Sequence, residues 1–255
     1  EYCHLKKVSL KSTFFIVIAA IFLFIMAGYV NACSMIVFQN LLDVSLEEIS
    51  GHPLEAMIAV AIMPALIEEV LFRGIIYRGI SDKKMAIFIS AITFALLHMN
   101  FNQMCYAFVM GLVFAIVIYL TDNLSVSILL HMLFNAFTVI ITCFEKSNAI
   151  QAILQCNIAG YTLFNPSLTD TQGKIEISLL IIGGLIAILS AVIAGWLILL
   201  IAKTEKTTET TINNKNILKD NDNIFKNNEK WKPDLRFFAG SGVCILIAIL
   251  YEILL

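Results

Sequence analysis

Seven stretches of this chain are apolar enough, and long or nearly long enough, to cross a lipid bilayer as helices. A membrane-spanning helix needs about 20 apolar residues, because the hydrocarbon core is about 30 Å thick and each residue adds about 1.5 Å. The predicted spans are residues 13–38, 54–77, 85–99, 104–120, 124–144, 177–201 and 237–255. The third span is the shortest and has the weakest signal by length.

An eighth apolar stretch, residues 150–164, is interrupted by Asn157 and Gly160, so we expect an interfacial or re-entrant segment there. The sequence thus predicts an all-α fold, a polytopic transmembrane helical bundle of seven spans, or eight if this segment crosses. Residues 1–255 are expected to form a single membrane domain.

Composition agrees with a membrane protein. Only 14% of the residues are charged and 59% are hydrophobic, whereas a soluble domain carries about 25% charged residues. The formal net charge of −2 provides no basic surface for a nucleic acid. We therefore expect membrane lipid as a partner and no nucleic acid.

The distribution of Lys and Arg residues predicts the orientation of the chain in the membrane. With seven spans and a cytoplasmic N-terminus, fourteen of the 17 Lys and Arg residues fall on the cytoplasmic side, as the positive-inside rule requires. They are Lys6, Lys7, Lys11, Arg78, Lys83, Lys84 and the eight between Lys203 and Arg236. We expect a multi-pass protein of the cell membrane, and the abundance of Asn, Ile and Lys is typical of an AT-rich bacterial genome.

Residues 203–235 are polar and rich in Asn, Lys and acids, which predicts a solvated cytoplasmic loop with a weak helix around Ile217 and Leu218. This loop leads to the final predicted transmembrane helix, residues 237–255. Residues 203–255 are a candidate surface for a membrane partner protein.

Three ionisable residues, Glu68, Glu69 and Arg73, lie inside the second predicted span. Each costs roughly 3 kcal/mol to insert, about 9 kcal/mol together, while the apolar residues of the span return about 5 kcal/mol. A lipid-facing helix would not tolerate this balance. The three side chains must therefore face other helices or a water-filled cavity, which makes an intramembrane polar site the default hypothesis.

Spacing separates the two carboxylates. Glu69 and Arg73 are four residues apart on one helix face and are expected to pair, whereas Glu68 is rotated by about 100° and stays free for chemistry. Pro64 lacks an N–H, so it frees the carbonyl group of Val60 and predicts a kink one turn before Glu68.

Two further spans carry polar residues at comparable depth. His98 lies near the end of the third span, and His131 and Asn135 share one face of the fifth. Counting about 1.5 Å per residue from the cytoplasmic helix ends puts these three side chains and Glu68 in one layer near the bilayer centre. A lone intramembrane His or Asn is usually a hydrogen-bond partner between helices, but a layer of six polar residues predicts a site.

Two mechanisms remain open for this set. Glu68 could take a proton from water as a general base, while an imidazole and the Asn135 amide donate to the developing oxyanion. Alternatively, His98, His131 and Glu68 are the ligand set of a catalytic zinc with an open fourth position. The chain lacks H-E-x-x-H, G-x-G-D and G-x-S-x-G, the motifs of three other kinds of membrane protease.

The ordered motifs resemble those of the CPBP family, the group of CAAX-type prenyl endopeptidases and bacteriocin-processing enzymes also called the Abi family. The resemblance covers residues 54–144, which we take as the catalytic core. It rests on three motifs in order along the chain: Glu68-Glu69-x-x-x-Arg73, Phe94-x-x-x-His98 and His131-x-x-x-Asn135.

The resemblance implies an intramembrane endopeptidase of glutamate or metallo type, with or without Zn²⁺. Its implied catalytic residues are Glu68, Glu69, His98, His131 and Asn135, and its implied supporting residues are Arg73 and Phe94. The expected function is hydrolysis of a peptide bond in a membrane-associated peptide or protein, for bacteriocin or pheromone maturation, self-immunity or membrane protein turnover. The alternatives are a non-cleaving bacteriocin immunity or binding protein of the same fold, and an ion-coupled transporter.

Overall fold

The computed structural model describes residues 4–38, 51–169 and 173–217, and these residues are mostly helical. The predicted final span, residues 237–255, and the later part of the polar segment lie outside the described residues. The elements are α1 (Leu10–Ser34), α2 (residues 53–79), α3 (Lys83–Leu96), α4 (Phe101–Thr121), α5 (Leu124–Cys143), α6 (Asn148–Leu154), β1 (Asn157–Ile158), β2 (Tyr161–Thr162) and α7 (Ile177–Ile217).

The prediction of a helical membrane protein is confirmed, but the number of seven spans is not. Four described helices are long and apolar enough to cross a membrane, namely α1, α4, α5 and the part of α7 from Ile177 to Thr208. Helix α3 has only 14 residues, about 21 Å at the usual rise. Helix α2 contains the three charged residues of the polar site and alternates between α-helical and π-helical turns.

Helix α1 packs against α7, α4 and α5. Its buried face carries Ala19, Ala20 and Ala27, whose small side chains allow close packing of helices in a membrane. Helices α3 and α4 also approach closely, since a Cβ atom on Gly111 would lie 3.0 Å from the Cα atom of Ala91. The polar site is built between these tightly packed helices.

Helix α2 is irregular where Pro64 predicts a kink. A π-helical segment, Met57–Ile62, precedes the proline, and a second one, Val70–Ile76, follows Glu69. The missing N–H of Pro64 removes one hydrogen bond from the helix, and a π-helical turn is a common way to accommodate such a loss.

The third helix ends earlier than predicted, so His98 lies in a turn rather than inside a span. Helix α3 ends at Leu96, and Met99 has a left-handed backbone with φ of 50°. Asn100 then caps α4 by accepting a hydrogen bond from the N–H of Gln103. A new helix therefore begins after Asn100, and the apolar residues around residue 97 give no sign of this break in the sequence.

The sixth predicted span continues as a helix through Ile217, so residues 203–217 are helical and not a loop. Thr204 and Thr208 bond their hydroxyl groups to the carbonyl four residues earlier, which satisfies these side chains within the helix. Glu205 is buried, where it accepts hydrogen bonds from the N–H of Ser9 and the amide of Asn123. These contacts fasten the extension to the bundle.

The two ends of the bundle differ in structure. At the end formed by residues 144–169 and 173–176, called the hairpin end below, α6 and the β1–β2 hairpin occupy the predicted interfacial segment. Tyr161 of the hairpin is buried against α7 at Gly183, where a Cβ atom would lie 2.4 Å from the Tyr161 ring. At the opposite end, Asp122 is bonded by His4 and Arg78.

Candidate active site

The expected ion pair between Glu69 and Arg73 is confirmed. The side chains are both fully buried, and Arg73 Nη1 donates to Glu69 Oε1 over 2.8 Å. The second terminal nitrogen of Arg73 donates to the carbonyl oxygen of Gly111 over 3.0 Å, and the guanidinium carbon lies 4.4 Å from the Phe94 ring centroid. Arg73 thereby ties α2 to α3 and α4.

Glu69 accepts two more hydrogen bonds, both from α5. Ser127 Oγ donates to Glu69 Oε2 over 2.6 Å, and His131 Nδ1 donates to Glu69 Oε1 over 3.0 Å. A carboxylate accommodates these three donors on its two oxygens. Both oxygens of Glu69 are thus engaged, and the bonds from Ser127 and His131 connect α2 to α5.

Glu68 points to a different region. Its side chain is 18% exposed, and its Oε2 atom lies 3.9 Å from His131 Nε2. That distance is too long for a direct hydrogen bond, but it allows one water molecule to contact both atoms. The adjacent carboxylates therefore differ in their surroundings, with Glu69 buried in an ion pair and Glu68 partly exposed.

His131 is held in one orientation. Its ring stacks on Phe114, with centroids 4.7 Å apart and planes 22° from parallel, and it meets the edge of Phe94 at 5.6 Å. Because the Glu69 carboxylate accepts the hydrogen bond, Nδ1 of His131 is the donor, and Nε2 is the ring nitrogen that lies toward Glu68.

His98 lies in the turn after α3 and is held by a residue of that helix. Its Nδ1 atom donates to the carbonyl oxygen of Phe94 over 3.0 Å, and the two rings meet edge to face at 5.2 Å. Phe94 is buried and contacts His98, His131 and Arg73. It is therefore the apolar support shared by the polar residues of the site.

Asn135 donates a hydrogen bond to the carbonyl group that Pro64 frees. Its amide nitrogen donates to the carbonyl oxygen of Val60 over 3.1 Å, one turn before the proline. This bond connects α5 to the broken part of α2. One N–H of the Asn135 amide is engaged in this way, and the second stays available to a ligand.

A cavity of about 840 Å³, called the site cavity below, brings the predicted residues together. Glu68, Phe94, His98, His131 and Asn135 all line it. Glu69 and Arg73 are fully buried behind the lining. The volume falls within the range of ligand-binding pockets, about 300–1,000 Å³.

The predicted zinc ligands do not form a complete set here. Among residues 4–38, 51–169 and 173–217, no group of three His, Cys, Asp or Glu side chains is close enough to hold a metal ion. His131 has the arrangement of a metal-bound histidine, because its second ring nitrogen is held by a carboxylate. His98, His131 and Glu68 nevertheless do not fit a three-ligand site in this geometry.

Three residues of the site were not predicted from the sequence. Ser127 bonds Glu69, Phe114 stacks on His131, and the Gly111 carbonyl accepts from Arg73. Ser127 precedes His131 by four residues, so its place on the same helix face is a signal that the sequence offers. Phe114 and Gly111 are ordinary residues of an apolar helix, and nothing in the sequence distinguishes them.

Comparison with known proteins identifies the same region. Residues 50–137 match the family model of the Rce1-like type II CAAX prenyl endopeptidases. The chain is 34% identical over 116 residues, 42% of its length, to the membrane-embedded CAAX protease MroQ of Staphylococcus aureus (strain USA300).

The aligned part spans 47% of that relative, about half its length. No solved structure matches the chain. The matched region, residues 50–137, contains all three motifs from Glu68 to Asn135. Over this region the chain is therefore similar to the CAAX-type membrane proteases.

Proposed function

We propose that this chain is an intramembrane endopeptidase in which Glu68 activates the water that attacks a peptide bond. The observation that carries the proposal is the contrast between the two neighbouring carboxylates. Glu69 is saturated by Arg73, Ser127 and His131, while Glu68 faces the site cavity beside the free nitrogen of His131. A carboxylate placed this way serves as a general base.

The geometry around Glu68 suits a bound water. A water between Glu68 Oε2 and His131 Nε2, which lie 3.9 Å apart, donates one hydrogen bond to each. Its oxygen lone pair then points away from both acceptors toward the cavity. As this oxygen bonds to the scissile carbonyl carbon, the water passes one proton to Glu68.

The tetrahedral intermediate carries a negative oxygen that needs a donor. Asn135 lines the cavity and keeps one amide N–H after bonding Val60, so it is the donor we assign to the oxyanion. Collapse of the intermediate breaks the C–N bond, and Glu68 returns its proton to the leaving nitrogen. His98, on the same cavity wall, is assigned to orient the peptide.

The hydrogen bond from His131 Nδ1 to Glu69 keeps the other ring nitrogen directed at the water. Arg73 neutralises Glu69 and holds it in place. Biological roles that such an activity would serve are maturation of a bacteriocin or pheromone, self-immunity and turnover of membrane proteins.

The proposal is tested by comparing cells that produce the wild-type chain, Glu68→Gln or Glu55→Gln. Glu55 is an exposed carboxylate of the same helix and is the matched control. Mass spectrometry of membrane peptides and proteins is expected to show the same uncut species accumulating with Glu68→Gln and not with Glu55→Gln. Identical profiles for all three would contradict the proposal, and protection against a bacteriocin that survives Glu68→Gln would favour a non-cleaving binder.

A further inference from the structure

The described residues that line the site cavity extend from Glu68 and His131 toward the hairpin end. The cavity passes between α1, α4 and α5 and reaches residues 164–169, beside Glu145. Its inner part is lined by aromatic and small apolar side chains, including Phe24, Ala27 and Phe134. Its outer part is lined by apolar side chains such as Met35, Leu154 and Phe164, and also by polar ones: Asn31, Gln103, Thr142, Asn165, Ser167 and Thr169.

The outer wall of the cavity is held firmly against the bundle. Tyr161 is buried against Gly183 of α7, and Pro166 lies 3.4 Å from the position of a Cβ atom on Gly28. Leu168 is also buried, and its carbonyl oxygen accepts from the N–H of Glu176. Residues 164–169 thus form a fixed surface beside the opening.

The lining carries negative charge and no permanent positive charge. Among the described lining residues there are two carboxylates, Glu68 and Glu145, and there is no Lys or Arg. Glu145 is exposed, and its backbone carbonyl is bonded by the side-chain amide of Gln151, which fixes the turn that carries it. A cationic group at the opening would meet a carboxylate, and an anionic group would meet repulsion.

We propose that the substrate peptide enters the site cavity from the hairpin end. The inference rests on the proposed function and adds a substrate class to it. The favoured peptide has uncharged residues around the scissile bond, matching the apolar inner wall, and a basic residue on its outer side, where it meets Glu145. An acidic residue at that place disfavours binding.

Binding is measured apart from cleavage. The full chain carrying Glu68→Gln is placed in nanodiscs of neutral phosphatidylcholine and titrated with three fluorescent peptides. The peptides share a core of Ala and Leu and differ in a flanking pair of Lys, Gln or Glu. We expect the Lys peptide to bind at least about threefold more tightly than the Glu peptide at low salt, and the ratio to shrink at 0.5 M salt through screening.

Two variants separate a local effect from a general one. Adding Glu145→Gln is expected to reduce the Lys-to-Glu ratio, whereas adding Glu176→Gln, an equal charge change at an exposed position off the lining, keeps it. Equal affinities, a preference for the Glu peptide, or no binding of the Lys peptide would overturn the inference. Charge-selective binding with no cleavage of any peptide by the wild-type chain would instead contradict the proposed function.

Discussion

Arg73 and Arg78 lie on the same helix and make ion pairs of nearly equal length, 2.8 and 2.9 Å, in very different surroundings. The Glu69–Arg73 pair is fully buried, whereas the partner of Arg78, Asp122, is 54% exposed. Replacing Arg73 by Ala leaves a buried carboxylate without its counter-charge, which costs about 3–5 kcal/mol. Replacing Arg78 by Ala removes a solvent-screened pair, worth less than about 1 kcal/mol.

The two losses are measured by denaturant unfolding of the purified variants in detergent micelles, followed by far-UV circular dichroism. A third variant, Arg73→Met combined with Glu69→Leu, tests whether the unpaired buried charge of Glu69 causes the loss of stability. Because both charges are removed together, its stability should return close to that of the wild type, while His131 loses its partner and activity stays low. Equal losses of unfolding free energy for Arg73→Ala and Arg78→Ala would contradict a large cost for the unpaired buried carboxylate. A double variant no more stable than Arg73→Ala would contradict it as well.

Further predictions concern the two ends of the bundle. Gly183→Ala puts a methyl group 2.4 Å from the Tyr161 ring, so the hairpin should be displaced and limited proteolysis near residues 155–165 should accelerate; an unchanged cleavage pattern would contradict this contact. Burial alone would raise the pKa of Asp122, but hydrogen bonds from two basic side chains outweigh burial and lower it. The stability that Asp122 adds is thus present above the ordinary aspartate pKa of about 4 and is lost as the pH falls through its lowered value. Asp122→Asn should therefore make the free energy of unfolding less dependent on pH in this acid range, by less than about 1 kcal/mol. Cys156 is exposed at the hairpin end, and a variant with this cysteine alone should react with an impermeant maleimide outside intact cells, while labelling only after lysis would reverse the orientation.

Helical spacing was sufficient to predict the ion pair between Glu69 and Arg73, because four residues along a helix put the two side chains on one face regardless of the rest of the fold. It also predicted the carbonyl group of Val60 that Pro64 frees. The partner of that carbonyl, Asn135, depends on how α2 and α5 pack. The periodicity of a single sequence does not specify a contact between residues of two helices that lie 75 positions apart.

Boundaries were less predictable than contacts within one helix. Hydropathy alone extends the third span to residue 99, because Leu97 and Met99 are apolar although the backbone turns there. The same measure ends the sixth span at Ile201, since the following residues are polar. The helix continues because Glu205 finds partners on two other segments, Ser9 and Asn123, and such tertiary contacts override local composition.

In the proposed mechanism Glu68, beside His131 Nε2, activates the attacking water. The most direct test is the cleavage rate of the purified wild-type chain and of Glu68→Gln, measured in proteoliposomes on a peptide that the wild type cuts. Loss of a general base lowers such a rate by about 10²–10⁴-fold, and we predict this loss with an unchanged circular dichroism spectrum and unfolding midpoint. Cleavage by the folded Glu68→Gln variant at a rate near that of the wild type would contradict the account.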